Sequence, residues 1–392
     1  MNISYALGVH RFIARAALSG AGIFAWIFAF QFYLTTAHGV PAAIIRTAFL
    51  YLLVQTVTAL LTPFTARLVR NGVRRAMIFG ITAAAVAFVL LGAAFSGYFG
   101  SYLMYGIAGF ALSLGLYRAL YWIPYAVEKK GEHVFDQFTQ LLLDILLASM
   151  PLAVGIYLVA SPLSVVSLLF ICAFLLLFSL LPLASVSEKY ERFDWGYAET
   201  FSHLAEPRFN KIVLSSLFDG AQGAALFFLW PIFVFLIVGY SYSVLGAVIS
   251  LALLLAIPAR MFARSYARIW RFEHSPLLPA FITGTAWVIR LAVATPLGVI
   301  LVDSYSTLSF PRSGVTSALL LEHAADEGSY IDEFTALKEL GLALGRILMV
   351  SLFCALSLTL SLTQALATSF LLIACLAMFS IWYSSKQEVI LS

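Results

Sequence analysis

The chain has 392 residues, 62% hydrophobic and 11% charged, with 23 Lys and Arg against 19 Asp and Glu for a formal net charge of +4; its mean hydropathy is +0.97. A soluble domain carries about a quarter charged residues, so this chain cannot present a wetted surface, and lipid must be the outer solvent for most of it. The small positive excess does not point to nucleic acid, because the basic residues lie in short segments between apolar spans, the pattern that encodes membrane orientation.

Apolar runs of ~17–25 residues read as membrane-crossing helices, since only a helix or a closed barrel satisfies its backbone in lipid. In chain order they fall at 12–34, 41–66, 75–96, 99–127, 135–160, 163–186, 209–238, 242–264, 275–295, 298–325, 331–359 and 363–384. Arg11 and Arg15 precede an apolar stretch too long for a signal-peptide core, so the first helix is expected to stay as an anchor. One set of connections is basic: Arg67–Arg75, Lys129 and Lys130, Lys189–Lys211, and Arg260–Arg271. The alternate set, around Gly97–Gly100, Ser161–Pro162, Gly239–Ser243 and Ser361–Thr363, is nearly uncharged. The positive-inside rule then places both termini and the basic loops in the cytoplasm, which requires an even number of spans. The acidic stretch 326–333 departs from this, but acidic residues weigh little in the rule.

The longest polar stretch, EKYERFDWGYAETFSHLAEPRF from Glu188, falls at the middle of the chain. It reads as a cytoplasmic linker, either a surface amphipathic helix or an irregular loop. The halves on either side resemble each other. RFIARAALS at Arg11 answers RFNKIVLSS at Arg208, a shift of 197 residues, and FDQFTQLLLDILL at Phe135 answers IDEFTALKELGLA at Ile331, a shift of 196. Duplication of a six-span unit is one of the plans transporters use.

Ionisable groups in lipid cost at least about 2.5–3.5 kcal/mol on insertion scales, so they should face the bundle interior or water. Those inside predicted spans are Arg118, Asp144, Asp219, Arg290, Lys338, Glu339 and Arg346. Arg46, Asp303, Arg312 and Glu322 sit nearer span ends, where snorkelling explains them. Asp144 and Glu339 occupy nearly equivalent depths in the two halves. Such carboxylates either change protonation with exposure, as proton coupling needs, or pair with a cation, Arg118 being a partner for Asp144. Asp219 is a third proton-coupling candidate. With Gln222 and Phe218 it makes one polar and aromatic turn, loosened by Gly220 and Gly223, of the kind that walls a solute site or simply joins packed helices. Tyr117, Tyr121 and Tyr125 share a helix face beside Arg118; packing and a cavity wall are both open for them. Gly341 and Gly345 form a close-packing GxxxG pair.

No HExxH, GxSxG or Walker A motif occurs, and Cys172, Cys354 and Cys375 form no metal or disulfide pattern. His10, His38, His133, His203, His274 and His323 all lie near segment ends and read as solvated loop residues. These readings anticipate no cofactor, no metal and no enzyme chemistry, with an ion or solute gradient as the energy source.

Together the pattern resembles the major facilitator superfamily, whose members have two six-helix halves, a central cytoplasmic linker and basic loops after helices 2 and 8. The family's loop after helix 2 runs Gly-x-x-x-Asp-Arg-x-Gly-Arg-Arg. Here the stretch is TARLVRNGVRR, in which Arg70, Gly72, Arg74 and Arg75 fit, whereas Thr65 replaces the glycine and Val69 the aspartate. The resemblance implies an all-α membrane protein of about twelve transmembrane helices in two pseudo-symmetric bundles, 1–186 and 209–392, joined by linker 187–208. It makes Gln31, Arg118, Tyr121 and Asp219 cavity-lining candidates, and Asp144 and Glu339 flanking ones. The implied function is secondary active transport of a small organic solute by alternating access, as a monomer in a bacterial inner membrane, with protons as the coupling candidate. Two alternatives stay open: a membrane-embedded enzyme acting on a lipid-linked substrate, for which the acidic loop 326–333 is the nearest approach to a site, and a non-transporting protein on the same fold.

Overall fold

The computed structural model describes residues 3–36, 39–128, 137–160, 164–191, 193–270, 277–308 and 331–391, with backbone alone at 3–4, 263–270, 331 and 382–391. Among these residues all regular structure is helical. The first six helices are α1 (Ile3–Thr36), α2 (Val40–Leu68), α3 (Val73–Phe95), α4 (Leu103–Glu128), α5 (Gln137–Ala160) and α6 (Ser164–Ala184). The second six are α7 (Pro207–Ile237), α8 (Tyr242–Trp270), α9 (Leu277–Arg290), α10 (Pro296–Ser306), α11 (Ile331–Thr359) and α12 (Leu362–Leu391). Among the described residues, ten helices are long and apolar enough to cross a membrane. The exceptions are α9, with 14 residues, and α10, with 11; most of the expected span 298–325 lies outside the described residues.

Three helices depart from their predicted course for identifiable reasons. α1 starts well before residue 12 because its polar first turns are accommodated inside the protein. His10 is fully buried, with Nδ1 2.8 Å from the Ser179 carbonyl and Nε2 3.2 Å from the Tyr121 hydroxyl. That corrects its reading as a solvated loop residue. His203 is buried too, against Trp195, while His38, His133, His274 and His323 lie outside the described residues. α6 breaks at Ser179, beside Pro182, which has no N–H to offer the preceding turn. α7 passes through a π turn at Ala225–Leu229 just ahead of Pro231, the same deficit absorbed by a wider turn.

Helices α1–α6 form one bundle, with α3 packed on α4 and α6 and α1 on α2 and α6. Helices α7–α12 form the other, with α7 packed on α11 and α12, α9 on α12, and α8 on α10. The bundles meet along α5 with α8, and along α2 and α4 with α11. Lipid supplies no hydrophobic drive between helices, so contact rests on small residues that let backbones approach. At the α7–α11 crossing a Cβ on Gly345 would overlap the Leu217 carbonyl, and one on Gly220 the Leu342 carbonyl. The GxxxG reading of α11 therefore holds.

The linker is part extended, part short helix (Tyr197–Ser202), so neither sequence reading describes it alone. It is fastened to both bundles. Arg67 donates to the Trp195 carbonyl at 3.2 Å and Arg70 to that of Phe193, while the Glu333 carboxylate at the start of α11 accepts the Asp194 N–H at 3.0 Å. Where the resemblance leaves Val69 in place of an aspartate, an acid arrives from the linker instead. Glu188 accepts the Arg74 backbone N–H at 2.9 Å and lies 3.3 Å from Arg74 Nε. A carboxylate there meets the positive end of the α3 dipole.

Candidate functional site

The linker marks one end of the molecule; at the other end the bundles are sealed. Gly155 of α5 lies under the Tyr242 carbonyl, and Gly246 of α8 under that of Pro151, too close for any Cβ. The Leu152 N–H donates to Ser250 Oγ across the same seam at 2.8 Å. Tyr242 is ringed by Phe24, Phe28 and Phe235, and its hydroxyl donates to the Gln31 side-chain carbonyl. Gln31 is thus part of the seal. One layer below, Trp26 and Tyr51 of the first bundle close on Phe228 of the second, with Tyr51 and Phe228 stacked at 4.5 Å.

Beneath that aromatic layer, near mid-depth of the helices, lies a belt of polar groups contributed by both bundles. Arg346 of α11 reaches Gln55 of α2 at 3.4 Å and lies over Gly223 of α7, where a Cβ would sit 3.9 Å from its Nε. Arg118 of α4 is within electrostatic reach of Arg346, as is Glu339, two turns earlier on α11. Glu339 also acts on Tyr117 of α4. No hydrogen bond or ion pair of Arg118 occurs among the described residues, and its buried Nε and the buried Nε2 of Gln55 have no partner there. Two guanidinium groups from opposite bundles are therefore within electrostatic reach of each other, with Glu339 the carboxylate acting on Arg346.

The other candidates distribute around this belt. Asp219 is exposed on α7 one turn from Gly223, on the same face, and within electrostatic reach of Lys338. Gln222 is half-buried beside it. Tyr121 belongs elsewhere: it stacks on Tyr125 at 5.5 Å, meets His10, and packs over Gly80 of α3, inside the first bundle. Most of the tyrosine stripe is packing, and Tyr117 alone edges the belt. Asp144 accepts from Gln140 at 3.1 Å and is within reach of Arg15 of α1, so the structure does not bring it to Arg118. Asp303, read from sequence as snorkelling, is instead the partner of buried Arg290, 2.8 Å away, and accepts from Trp230 Nε1 at 3.0 Å. Its carboxylate turns inward because α9 and α10 pack against each other and carry Arg290 to it. Glu333 is occupied by the linker, and Asp332 is buried in the first turn of α11. Among the described residues no group of three or more His, Cys, Asp or Glu could hold a metal ion.

Sequence reasoning passed over Gln55 and gave Arg346 no role. The available signal was an amide at the centre of an apolar span, a group that lipid does not tolerate without an internal contact.

No protein-family profile matches the sequence, and no curated protein matches it. Solved structures do. A bacterial homologue of the iron transporter ferroportin, in its inward-facing state, superposes with a TM-score of 0.65 at 16% identity over 98% of each chain. The nucleoside transporter NupG gives 0.61 at 13% identity over 98% of each. FucP, a major facilitator superfamily transporter in the outward conformation, gives 0.56 at 15% identity over 97% of this chain and 98% of its own. At such identities the likeness is one of fold.

Proposed function

We propose that this chain, which has the major facilitator fold, is a secondary carrier moving a small organic solute across a bacterial inner membrane by alternating access. The reading is carried by one observation: polar groups from both bundles meet at mid-depth beneath a seal built of backbone-close glycines. In this reading 1–186 and 209–392 rock about the belt as a monomer, linker 187–208 and both termini lie in the cytoplasm, and the Gln31–Tyr242 contact belongs to the outer gate. Gln222 and Arg118 line the solute path. Glu339 and Asp219 are the proton-coupling candidates nearest the belt; Asp144 lies beside Arg15, away from it.

Access from both faces tests the carrier. In a background with Cys172, Cys354 and Cys375 replaced by alanine, Gln222→Cys should react with a membrane-impermeant maleimide in both right-side-out and inverted vesicles. Oxidising an added Gln31→Cys/Tyr242→Cys pair should stop outer labelling and spare inner labelling. Reactivity confined to one face under every condition would end the carrier reading.

The same assay reads the seal. Gly246→Leu places a side chain against the Pro151 carbonyl, and overpacking of this kind costs about 1–3 kcal/mol, here charged to the outer-closed state alone. Outer labelling of Gln222→Cys should rise by about tenfold, with solute turnover falling because the outer gate no longer closes.

A further inference from the structure

We infer that the belt binds a small organic anion, a carboxylate or a phosphate monoester, held between Arg118 of one bundle and Arg346 of the other. The assignment of a transported solute rests on the carrier reading; the binding site itself does not.

The argument is one of charge and satisfaction. Arg118 and Arg346 lie within reach of each other, and like charges repel strongly where water is scarce. A guanidinium stays charged there, since its proton is held too tightly to be lost. Glu339 offsets one of the two. The carboxylate of α7, Asp219, is answered by Lys338, so among the described residues one positive charge is left over. The donors are also unspent: among the described residues, Arg118 Nε is buried with no partner, and the hydrogen bond of Arg346 is the long 3.4 Å contact to Gln55. A buried donor nitrogen left without an acceptor is destabilising, more so when the group is charged. An anion with two or three oxygens satisfies both forks at once, and planar forks match carboxylate and phosphate geometry. The Gln55 amide Nε2, also unpartnered, supplies a further donor at the same place. Tyr51, stacked on Phe228 just above, gives the ligand's carbon skeleton an apolar wall. Because the two arginines come from opposite bundles, such a ligand draws the bundles together, which is what a transported solute must do.

The test uses the purified full chain in phosphatidylcholine nanodiscs, with thermal unfolding as readout. The probes are benzoate, succinate and glycerol 3-phosphate, each beside its neutral counterpart benzamide, succinamide or glycerol. At least one anion should raise Tm saturably, and no neutral counterpart should. Arg118→Gln and Arg346→Gln should each weaken that anion at least tenfold, Arg118→Lys should restore part of the loss, and Glu339→Gln should keep or tighten binding. Without ligand, each Arg→Gln variant should hold or gain Tm, because a repulsion is removed; a clear fall would show that the guanidinium already has a structural partner and would overturn the assignment. So would protection by none of the three anions, or undiminished protection in both Arg→Gln variants. If phosphatidylglycerol added to the discs reproduces the arginine-dependent protection with no solute, the occupant is a lipid headgroup and the solute site is wrong. Two-face labelling of Gln222→Cys with protection by neutral probes alone would keep the carrier and remove the anion. Anion binding with single-face labelling would do the reverse.

Discussion

Gly345→Val should leave almost no folded protein. Gly345 lies where α11 crosses α7, and its Cβ position coincides with the Leu217 carbonyl, with the Ala221 backbone nitrogen 2.9 Å away. Both are backbone atoms in the middle of a helix, so neither can turn aside as a side-chain tip would. Gly220 and Gly341 make the same crossing close from either side, so the helices cannot separate at one point without separating at all three. Overpacking a well-filled site costs about 1–3 kcal/mol and at times more; a backbone-to-backbone collision belongs at or above the top of that range. A protein's whole margin is about 5–15 kcal/mol. The expected result is loss of the monodisperse peak in size-exclusion chromatography of the detergent-solubilised protein. Gly22→Ala in α1 is the matched control, since its Cβ would meet nothing within 4 Å, and it should elute and unfold as the parent does.

Arg290→Met should cost about 3 kcal/mol and be largely repaired by a second change, Asp303→Leu. Arg290 is nearly fully buried, with its guanidinium 4.6 Å from the Trp287 ring centroid and 5.4 Å from that of Trp230. Removing it strands Asp303, and breaking a buried pair from one side costs about 3–5 kcal/mol, whereas replacing both partners by apolar groups is often neutral. The lower end applies because the Asp303 side chain is 28% exposed and keeps its Trp230 donor. A double-mutant cycle on chemical unfolding in mixed micelles measures the coupling. Additive costs in the double variant would show that Arg290 acts through its packing on the two indoles rather than through Asp303.

The fold was legible for a physical reason. Lipid demands long uninterrupted apolar helices, and such runs announce themselves by composition alone. Their ends were less legible, as α1 shows: His10 and Arg11 look like a boundary until α4 and α6 supply partners for them. The site was legible in depth but not in direction. Arg118, Asp219 and Glu339 could be placed near the middle of their spans by counting residues. A helix that is apolar all round gives no sign of which way a given polar side chain points, so Asp144 was paired with Arg118 on depth alone. Gln55 and Arg346 meet across a separation of 291 residues, and nothing local in either span records the meeting. Tyr121 shows the opposite error: its stripe and its neighbour Arg118 suggested a cavity wall, but one helical step turns it toward His10.

The wide turn at Ala225–Leu229 has a mechanical consequence. Below it, Gly220 locks the lower shaft of α7 to α11; within it, Phe228 stacks on Tyr51 of the closing layer, and above it Phe235 packs on Tyr242. Pro231 has already removed one rung of the ladder at this joint, so bending there breaks little that is not already broken. In the proposed carrier reading, the upper shaft swings as a short lever on a fixed post, and the outer gate parts without disturbing the crossing that keeps the second bundle whole.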